Sequence, residues 1–317
     1  MNMSILPNEA EFNKELQKVR SGLELPMHEF AKSNSYGTRI CLTQIFIVCV
    51  ATYLLQNSGL RGVNQVLGSA IIYGVIAYRV QFILHDASHK SLFRNSSINE
   101  TVGWMFGTFV GVNFSRYRYT HMWHHRLTGS QNDPQYRDYL HGTVSRTRYF
   151  LFLVSPLFGS RVFPYLSREF GVGEKTEVAV TQDYHEPRVH PLWYVMALLV
   201  VGIELFVMSG FGRYPFIALG FLVGLPTVSL FLARLRAVSE HQDFVDDRAG
   251  FTRSHRFNLA DYLLLYDANF NYHFEHHLYP GISSKYLKSV SIRVDQLGRP
   301  SDTMGSSMSR TLIRGFR

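Results

Sequence analysis

Apolar and polar residues are grouped in long blocks along this chain. Four apolar blocks stand out, and their approximate limits are 40–58, 66–84, 192–209 and 215–233. A helix needs about 20 mainly apolar residues to cross the hydrocarbon core of a bilayer. The last three blocks approach that length on their own, whereas the apolar run of the first block, 40–55, needs its flanking residues. The pattern therefore predicts four transmembrane helices.

The connections between these blocks predict two helical hairpins. Residues 56–65 join the first two blocks and residues 209–214 join the last two, and both connections are short. Pro226 lies inside the fourth block, where it predicts a kink in the helix. Two further apolar stretches, 102–114 and 149–158, are too short to span a bilayer. We expect both to lie at the membrane interface or inside the protein.

The composition is typical of a membrane protein that also has large water-facing regions. Hydrophobic residues make up 46% of the 317 residues and charged residues 18%, yet the mean hydropathy is only -0.04. The apolar blocks must therefore be balanced by very polar segments. Because no regular repeat or low-complexity linker divides the chain, residues 1–317 are predicted to form a single domain. The polar segment 1–38 lacks the apolar stretch of a cleaved signal peptide.

The charge distribution predicts an orientation in the membrane. The net charge is +8, and the basic residues are scattered beside the apolar blocks, which favours contact with anionic lipid headgroups over nucleic acid. Each hairpin connection carries a single basic residue, Arg61 or Arg213, whereas nearly all the others lie in the N-terminal segment and in residues 85–190 and 234–317. Cytoplasmic loops are enriched in Lys and Arg. Both termini and both large polar regions are therefore predicted to be cytoplasmic.

Three clusters of histidines occur in these polar regions. One cluster has the spacing i, i+4 and the other two have the spacing i, i+3, i+4, so each places its imidazoles on one face of a helix. Neutral imidazole is the commonest metal ligand among side chains. The clusters are His85 and His89, then His121, His124 and His125, and finally His273, His276 and His277. Because all three are predicted on the same side of the membrane, folding can assemble them into one metal site.

The number of histidines indicates two metal ions. His241, in Ser-Glu-His-Gln, is a candidate ninth ligand, and nine are too many for one zinc ion but suit two metals with open positions. Imidazoles packed together repel one another when protonated, which argues for cations that hold them neutral. The two cysteines, Cys41 and Cys49, both lie in the first apolar block and are expected to be buried thiols outside the site.

Five isolated histidines are predicted to be ordinary structural residues outside the site. They are His28, His141, His185, His190 and His255.

The order of the motifs carries a family resemblance. HxxxH, HxxHH and, after two further apolar blocks, a second HxxHH resemble the membrane fatty-acid desaturase and hydroxylase superfamily. The resemblance runs from about Phe82 to Pro280 and includes Asn132-Asp133-Pro134 and His277-Leu278-Tyr279-Pro280. The segment 234–241 resembles the one that supplies the family's additional histidine, here His241. The sequence as a whole resembles the bacterial acyl desaturases. Within them, it most resembles the branch that contains the rhizobitoxine desaturase.

This resemblance implies a fold, a cofactor and an activity. The fold would be an all-α integral membrane protein whose two hairpins carry a cytoplasmic helical cap. The cap would hold two iron ions (Fe2+/Fe3+), with O2 as co-substrate, and the nine clustered histidines would be both the metal ligands and the catalytic residues. The enzyme would be an oxidoreductase that introduces a double or triple bond into an acyl chain carried as lipid, acyl-CoA or acyl-carrier-protein thioester. It would be located in the bacterial inner membrane.

Two departures from the family pattern are informative. Ala237 stands where the stearoyl-CoA desaturase branch has an asparagine that reaches the metal through water, so either another group fills that space or the iron is more open. His190-Pro191-Leu192-Trp193 does not match the family's His-Pro-Gly-Gly haem motif. Electrons would therefore come from a separate ferredoxin or cytochrome with its reductase.

Several other side chains are candidates for supporting roles. Carboxylates could orient the imidazoles by accepting their second N–H, amides could complete the shell, and aromatic rings could line an acyl tunnel. The carboxylates are Asp86, Glu240, Asp267 and Glu275, the amides are Asn269 and Asn271, and the aromatic residues are Trp123 and Tyr272.

Three alternative functions remain open. The first is a membrane hydroxylase of lipid, alkane or carotenoid, which would use the same metal pair. The second is a membrane metal-binding or transport protein, which predicts polar residues along the spans, and these offer little beyond Glu204. The third is a metal-dependent membrane hydrolase, which does not need so many ligands.

Overall fold

The computed structural model describes residues 7–23, 25, 30, 32–140, 144–162, 164, 189–244, 250–264 and 268–316, and these residues are mostly helical. Helices α1 to α6 are Pro7–Gly22, Asn34–Asn57, Gly62–Ser88, Ser96–Phe109, Phe114–Leu127 and Arg146–Val154. Helices α7 to α13 are Pro191–Met208, Pro215–Gly224, Leu230–His241, Leu259–Leu264, His273–Leu278, Leu287–Gln296 and Met308–Arg314. A two-residue parallel ladder pairs β1 (Ser254–His255) with β2 (Met304–Gly305). Short 3-10 turns occur at Tyr136–Asp138, Ser155–Phe158 and Ser284–Tyr286.

Four helices in the described part of the chain are long and apolar enough to cross a membrane. They are Asn34–Asn57, Gly62–Ser88, Pro191–Met208 and the continuous helix Pro215–His241. The prediction of a mostly helical protein with four candidate spans is therefore confirmed. Three of these helices, all but Pro191–Met208, extend beyond their apolar blocks at one end or both, because backbone hydrogen bonding continues into polar sequence. Helix α3 in this way reaches Ser88, and His89 follows it directly.

Helices α2 and α7 present apolar side chains to the outside of the protein. Phe46 and Leu42 on α2 and Leu198 and Ile203 on α7 are all exposed. A surface of this kind is unfavourable in water but matches lipid, which is as apolar as leucine. Cys49 is also exposed on α2, so the prediction that both cysteines are buried is wrong for it, whereas Cys41 is buried. The difference arises because only one side of α2 packs against the protein.

The centre of the membrane-spanning bundle is a close contact between α3 and α8. Gly220 and Gly224 lie one turn apart on α8, and the backbone of α3 passes directly over both. A Cβ atom at position 224 would lie 2.3 Å from the carbonyl oxygen of Ala70, and one at position 220 would lie 2.6 Å from that of Val66. Glycines at such a crossing allow two helix backbones to approach each other. The contact therefore sets the spacing of the two helices that lead to the histidines.

Pro226 produces a widened turn in the last candidate span. Residues Leu225–Ser229 form a single π-helical turn between α8 and α9, and the helix then continues to His241. A proline ring clashes with the carbonyl four residues earlier in a regular helix, and a π turn is one way to relieve this clash. The proline therefore locally widens the helix without ending it.

The short apolar stretch 102–114 forms a helix end, a turn and the start of the next helix. Helix α4 ends at Phe109, Gly111 adopts φ of +71°, and Asn113 caps α5 by accepting a hydrogen bond from the backbone N–H of Arg116. Glycine tolerates this positive φ because it has no Cβ. The turn brings α5, which carries the second histidine cluster, beside the end of α3.

We predict that Gly224→Ala lowers the stability of the protein by about 1–3 kcal/mol, because the new methyl group would overlap the rigid backbone of α3. The measurement is thermal or denaturant unfolding of the purified protein in detergent. Gly202→Ala on α7 is the matched control, since a Cβ there has nothing within 4 Å, and it should leave stability unchanged or slightly raised. Equal effects of the two substitutions would contradict the close contact.

Candidate metal centre

The structure brings all nine clustered histidines together. They form two groups, and within each group the candidate ligand atoms all lie within 4.8 Å of one another. The five-histidine group contains His85, His89, His121, His125 and His276. The four-histidine group contains His124, His241, His273 and His277.

Each HxxHH cluster contributes to both groups. On α5, His121 and His125 belong to the five-histidine group and His124 to the other, whereas on α11 the first and last histidines belong to the four-histidine group. Residues i and i+4 project about 40° apart around a helix, while residue i+3 projects to their other side. The spacing therefore divides three imidazoles between two neighbouring positions. Helix α3 and its C-cap supply two histidines to one group, and the last residue of α9 supplies one to the other.

Distances between the ring nitrogens match a shared cation in the five-histidine group. Nε2 of His121 lies 2.9 Å from Nε2 of His89 and 3.2 Å from Nε2 of His125, and the latter lies 3.1 Å from Nε2 of His276. Two nitrogens bound at right angles to one ion at about 2.1 Å are about 3.0 Å apart.

The four-histidine group has the same spacing. Nε2 of His273 lies 2.9 Å from Nε2 of His241 and 3.1 Å from Nε2 of His277. His124 joins this group with its ring centroid 4.7 Å from that of His241.

Burial keeps these imidazoles neutral, as metal binding requires. Burial, and next the nearby Arg118, lowers the pKa of His89 to about 3. Burial also holds the pKa values of five further histidines well below the usual range, and neighbouring histidines add to the effect. These residues are His121, His125, His273, His276 and His277. A neutral imidazole has a free lone pair for a cation.

In the five-histidine group, His85 has ring nitrogens that are available to bind a metal ion. Both ring nitrogens of the buried His85 lack a hydrogen-bond partner within the described part of the chain. A buried polar atom without a partner is unfavourable by about 1–3 kcal/mol. Metal coordination at one nitrogen removes part of this penalty, so the residues present fit a bound metal ion.

Asp133 orients the imidazole of His124 from outside the group. Nδ1 of His124 donates to this carboxylate at 3.0 Å, and the backbone N–H groups of Gly129 and Gln135 and the hydroxyl of Tyr139 also donate to it. Burial alone would raise the pKa of Asp133, but His124 and these hydrogen bonds more than offset burial and lower it. The ionised carboxylate therefore directs Nε2 of His124 towards the metal position.

This role of Asp133 was not predicted from the sequence, where the residue appeared only as part of Asn132-Asp133-Pro134. The available signal was an aspartate in a tight turn nine residues after His124. Such a turn can return a carboxylate to the outer nitrogen of a preceding helical histidine.

The predicted orienting role is wrong for Glu275. One of its oxygens accepts from Arg299 and the other from the hydroxyl of Ser254, so neither is directed at an imidazole. The hydroxyl of Ser254 also accepts from the backbone N–H of Phe274 at 3.0 Å. Glu275 thus ties α11 to the segments behind it and holds the histidine-bearing helix in place.

The other candidate carboxylates have different surroundings. Asp86 accepts from the hydroxyl of Ser284 at 2.6 Å, and its other oxygen is 3.8 Å from Nδ1 of His85, too far for a hydrogen bond. Glu240 lies 3.5 Å from Nε2 of His273, on the inner side of that imidazole. Asp267 lies outside the described residues.

The two candidate amides donate to backbone carbonyl groups instead of completing the metal shell. The side-chain amide of Asn269 donates to the carbonyl groups of Ser284 and Lys285, and that of Asn271 donates to the carbonyl group of His255 at 2.7 Å. Both contacts stabilise the segments that flank α11.

The remaining candidates lie outside the two groups. Trp123 is half-buried beneath the guanidinium group of Arg126, Tyr272 immediately precedes α11, and Glu204 lies about one turn before the end of α7. Ala237 packs in an apolar cluster that includes Tyr149.

Two of the isolated histidines can be located. His190 caps the start of α7, and His255 is buried in β1. His28, His141 and His185 lie outside the described residues.

Helices that carry two adjoining groups of buried or half-buried histidines at the end of apolar spans define a membrane protein with a candidate dinuclear metal centre. Comparison with known families identifies its class. The chain matches the fatty acid desaturase family over residues 64–303 and belongs to that family. It is therefore an oxidoreductase.

Individual relatives agree with this assignment. The chain is 24% identical to the dihydrorhizobitoxine desaturase of Bradyrhizobium elkanii over 300 residues, which cover 91% of this chain and 80% of that protein. It is also 28% identical over 65 residues to the Delta(12) fatty acid desaturases of Mortierella isabellina and Mortierella alpina, a match that covers 20% of this chain and 16% of each relative.

We predict that Asp133→Asn weakens metal binding at the four-histidine group about 10- to 100-fold, because His124 loses the charged acceptor that fixes its ring. The measurement is competition between the purified protein and a soluble chelator. Asp138→Asn is the matched control, since this half-exposed carboxylate pairs with Arg161 on the surface. Unchanged affinity in Asp133→Asn would argue against the orienting role.

We also predict that the metal-free protein loses stability as the pH falls below about 6.5. Unfolded histidines take up a proton near pH 6.5, whereas folded His89 stays neutral down to about pH 3, so the unfolded state binds more protons in this window. Each such histidine lowers the free energy of unfolding by up to about 1.4 kcal/mol per pH unit. Thermal unfolding of chelator-treated protein at pH 7.5 and pH 5.5 measures the effect. Equal midpoints would contradict it.

Proposed function

We propose that this protein is an O2-dependent membrane desaturase that introduces a double bond into an acyl chain, with two iron ions bound by the nine clustered histidines. The observation that carries the proposal is the assembly of five and four buried or half-buried histidines from distant parts of the chain into two adjoining groups. A single zinc ion does not need so many donors. Two metal ions with open positions can use nine donors, and redox-active iron supplies the O2 chemistry that oxidises an unactivated C–H bond.

The chain's own residues would hold the metal pair. His85, His89, His121, His125 and His276 would bind one iron, and His124, His241, His273 and His277 the other. Bound iron would supply the electron transfer and oxygen activation. Asp133 fixes the ring of His124, and the Arg299–Glu275 pair fixes α11, so the donor atoms are held in position before the metal binds. Such preorganisation matters because a displacement of about 1 Å can change the rate and the outcome of a reaction.

Charge and helix direction support the proposed orientation in the membrane. Helix α3 runs from Arg61 to His85, and the helix Pro215–His241 runs from the 209–214 connection to His241. Gln56, at the end of α2, donates to the carbonyl group of Met208 at 3.1 Å and joins the two short connections. This geometry supports a single domain of two hairpins with a helical cap. Both termini and the histidines would face the cytoplasm of a bacterial inner membrane.

The substrate would be an acyl chain presented as lipid, acyl-CoA or acyl-carrier-protein thioester. Electrons would come from a separate ferredoxin or cytochrome with its reductase. Trp123 and Tyr272 remain candidates for lining the path of the acyl chain. Relatives named for desaturation, one of them similar over 91% of this chain, favour desaturation over hydroxylation. The formation of a triple bond would use the same centre.

Two other functions make different predictions. A membrane hydroxylase of lipid, alkane or carotenoid would use the same metals but retain an oxygen atom in its product. A membrane metal-binding or transport protein would need polar groups along its spans to pass an ion, and Glu204 is the main candidate that the sequence offers.

We predict that His124→Ala or His276→Ala abolishes O2-dependent desaturation, with a loss of at least 100-fold, because each removes one donor from a different group. The measurement is lipid and acyl-thioester profiling of cells that express each variant. His190→Asn is the control, since it changes an exposed histidine outside both groups and keeps a side chain able to cap α7. Retained activity in His124→Ala and His276→Ala would remove the proposed metal site.

The product distinguishes a desaturase from a hydroxylase. With 18O2 we expect an alkene that carries no label, because desaturation removes two hydrogen atoms and releases the oxygen as water. Mass spectrometry of the extracted acyl chains measures this outcome. A labelled alcohol without alkene would overturn the desaturase proposal in favour of the hydroxylase.

A further inference from the structure

We infer that the carboxylate of Glu240 belongs to the shell of the metal in the four-histidine group, which it reaches directly or through one bound water molecule. This inference rests on the proposed function, because it requires a metal pair in the two histidine groups. It assigns to Glu240 a different role from the outer acceptor expected from the sequence.

The position of Glu240 relative to His273 carries the inference. One carboxylate oxygen lies 3.5 Å from Nε2 of His273, the same nitrogen that approaches Nε2 of His241 at 2.9 Å. The outer nitrogen of this ring, Nδ1, instead faces Arg236 at 3.5 Å. An acceptor that orients an imidazole contacts its outer nitrogen, as Asp133 does with His124. Glu240 lies on the opposite, metal-facing side.

Arg236 holds this carboxylate in a fixed orientation. Arg236 and Glu240 are four residues apart on α9, so their side chains share one face of the helix, and Nε of Arg236 donates to one carboxylate oxygen at 2.8 Å. Glu240 is only 2% exposed, so its second oxygen has little access to solvent. The ion pair therefore fixes one oxygen and directs the other towards the edge of the four-histidine group.

Charge supplies a reason for a carboxylate at this place. Two divalent cations bound by neutral imidazoles carry four positive charges inside the protein, and an uncompensated buried charge is strongly unfavourable. Glu240 adds a negative charge on the metal side, and carboxylate oxygens occur beside imidazoles in non-haem iron sites. It also adds a fifth donor at the position that has four histidines.

This arrangement also addresses the departure at position 237. Ala237 contributes only a methyl group, which packs in the apolar cluster of Tyr149 and Val238. Glu240 lies three residues further along the same helix and one residue before His241. We therefore assign to Glu240 the additional polar contact at this metal, which in the stearoyl-CoA branch comes from an asparagine.

Glu240→Gln tests the inference because it removes the charge and keeps the shape of the side chain. The wild type and the variant are reconstituted with 57Fe2+ without oxygen, and only folded, monodisperse protein is measured. Competition with a chelator gives the affinity of each iron, and Mössbauer spectra report the two environments. Asp261→Asn is the matched control, since Asp261 is a buried carboxylate that accepts from the backbone N–H of Met308 and belongs to neither histidine group.

We expect Glu240→Gln to weaken one of the two irons at least tenfold and to change one of the two Mössbauer signals. Glu240→Asp should restore part of the affinity, and Asp261→Asn should leave both signals unchanged. Unchanged affinities and spectra in Glu240→Gln would overturn the inference, as would equal weakening of both irons, which would assign Glu240 only to the ion pair with Arg236. A wild-type protein that binds no iron pair would instead overturn the proposed function.

Discussion

The close packing of imidazoles that would repel one another if protonated is the constraint on which the rest of this structure depends. Neighbouring ring nitrogens approach to 2.9–3.2 Å, and both nitrogens of His85 are without a hydrogen-bond partner in the described part of the chain. Protonated rings at these distances would repel one another. Neutral rings without a bound metal would leave buried nitrogens, such as those of His85, without a partner. A cation in each histidine group would keep the rings neutral and give the buried nitrogens a partner. Metal binding and folding of this region are therefore expected to be coupled.

The protein balances this constraint with rigid support outside the two groups. Asp133 holds His124 from a tight turn, and Glu275 joins α11 to Arg299 and Ser254. These carboxylates act in different ways, since the first fixes a ring and the second fixes the helix that carries three rings. Both carboxylates are buried and accept hydrogen bonds, and a buried charge is tolerated only when it has such partners.

The sequence predicted the histidines more completely than their surroundings. Spacings such as i, i+3, i+4 are local, so helix geometry alone relates His121, His124 and His125 before any tertiary structure is known. The partners of Glu275 depend on a segment more than twenty residues away, and no local pattern indicates them. The exposure of Cys49 likewise depends on which side of α2 faces α3. The four candidate spans were predictable because the length of an apolar stretch can be counted directly in the sequence.

Helix continuity links the apolar bundle to the metal centre. Helix α3 crosses α8 at Gly220 and Gly224, and the same two helical segments continue, without a break in the chain, to His85 and His241. These histidines belong to different groups, so the separation of the two groups depends on a backbone contact within the apolar part. The HxxHH clusters on α5 and α11 bridge the groups from the other side. The glycine contact and the spacing of the histidines therefore both determine the distance between the two histidine groups. Neither sequence feature alone would determine it.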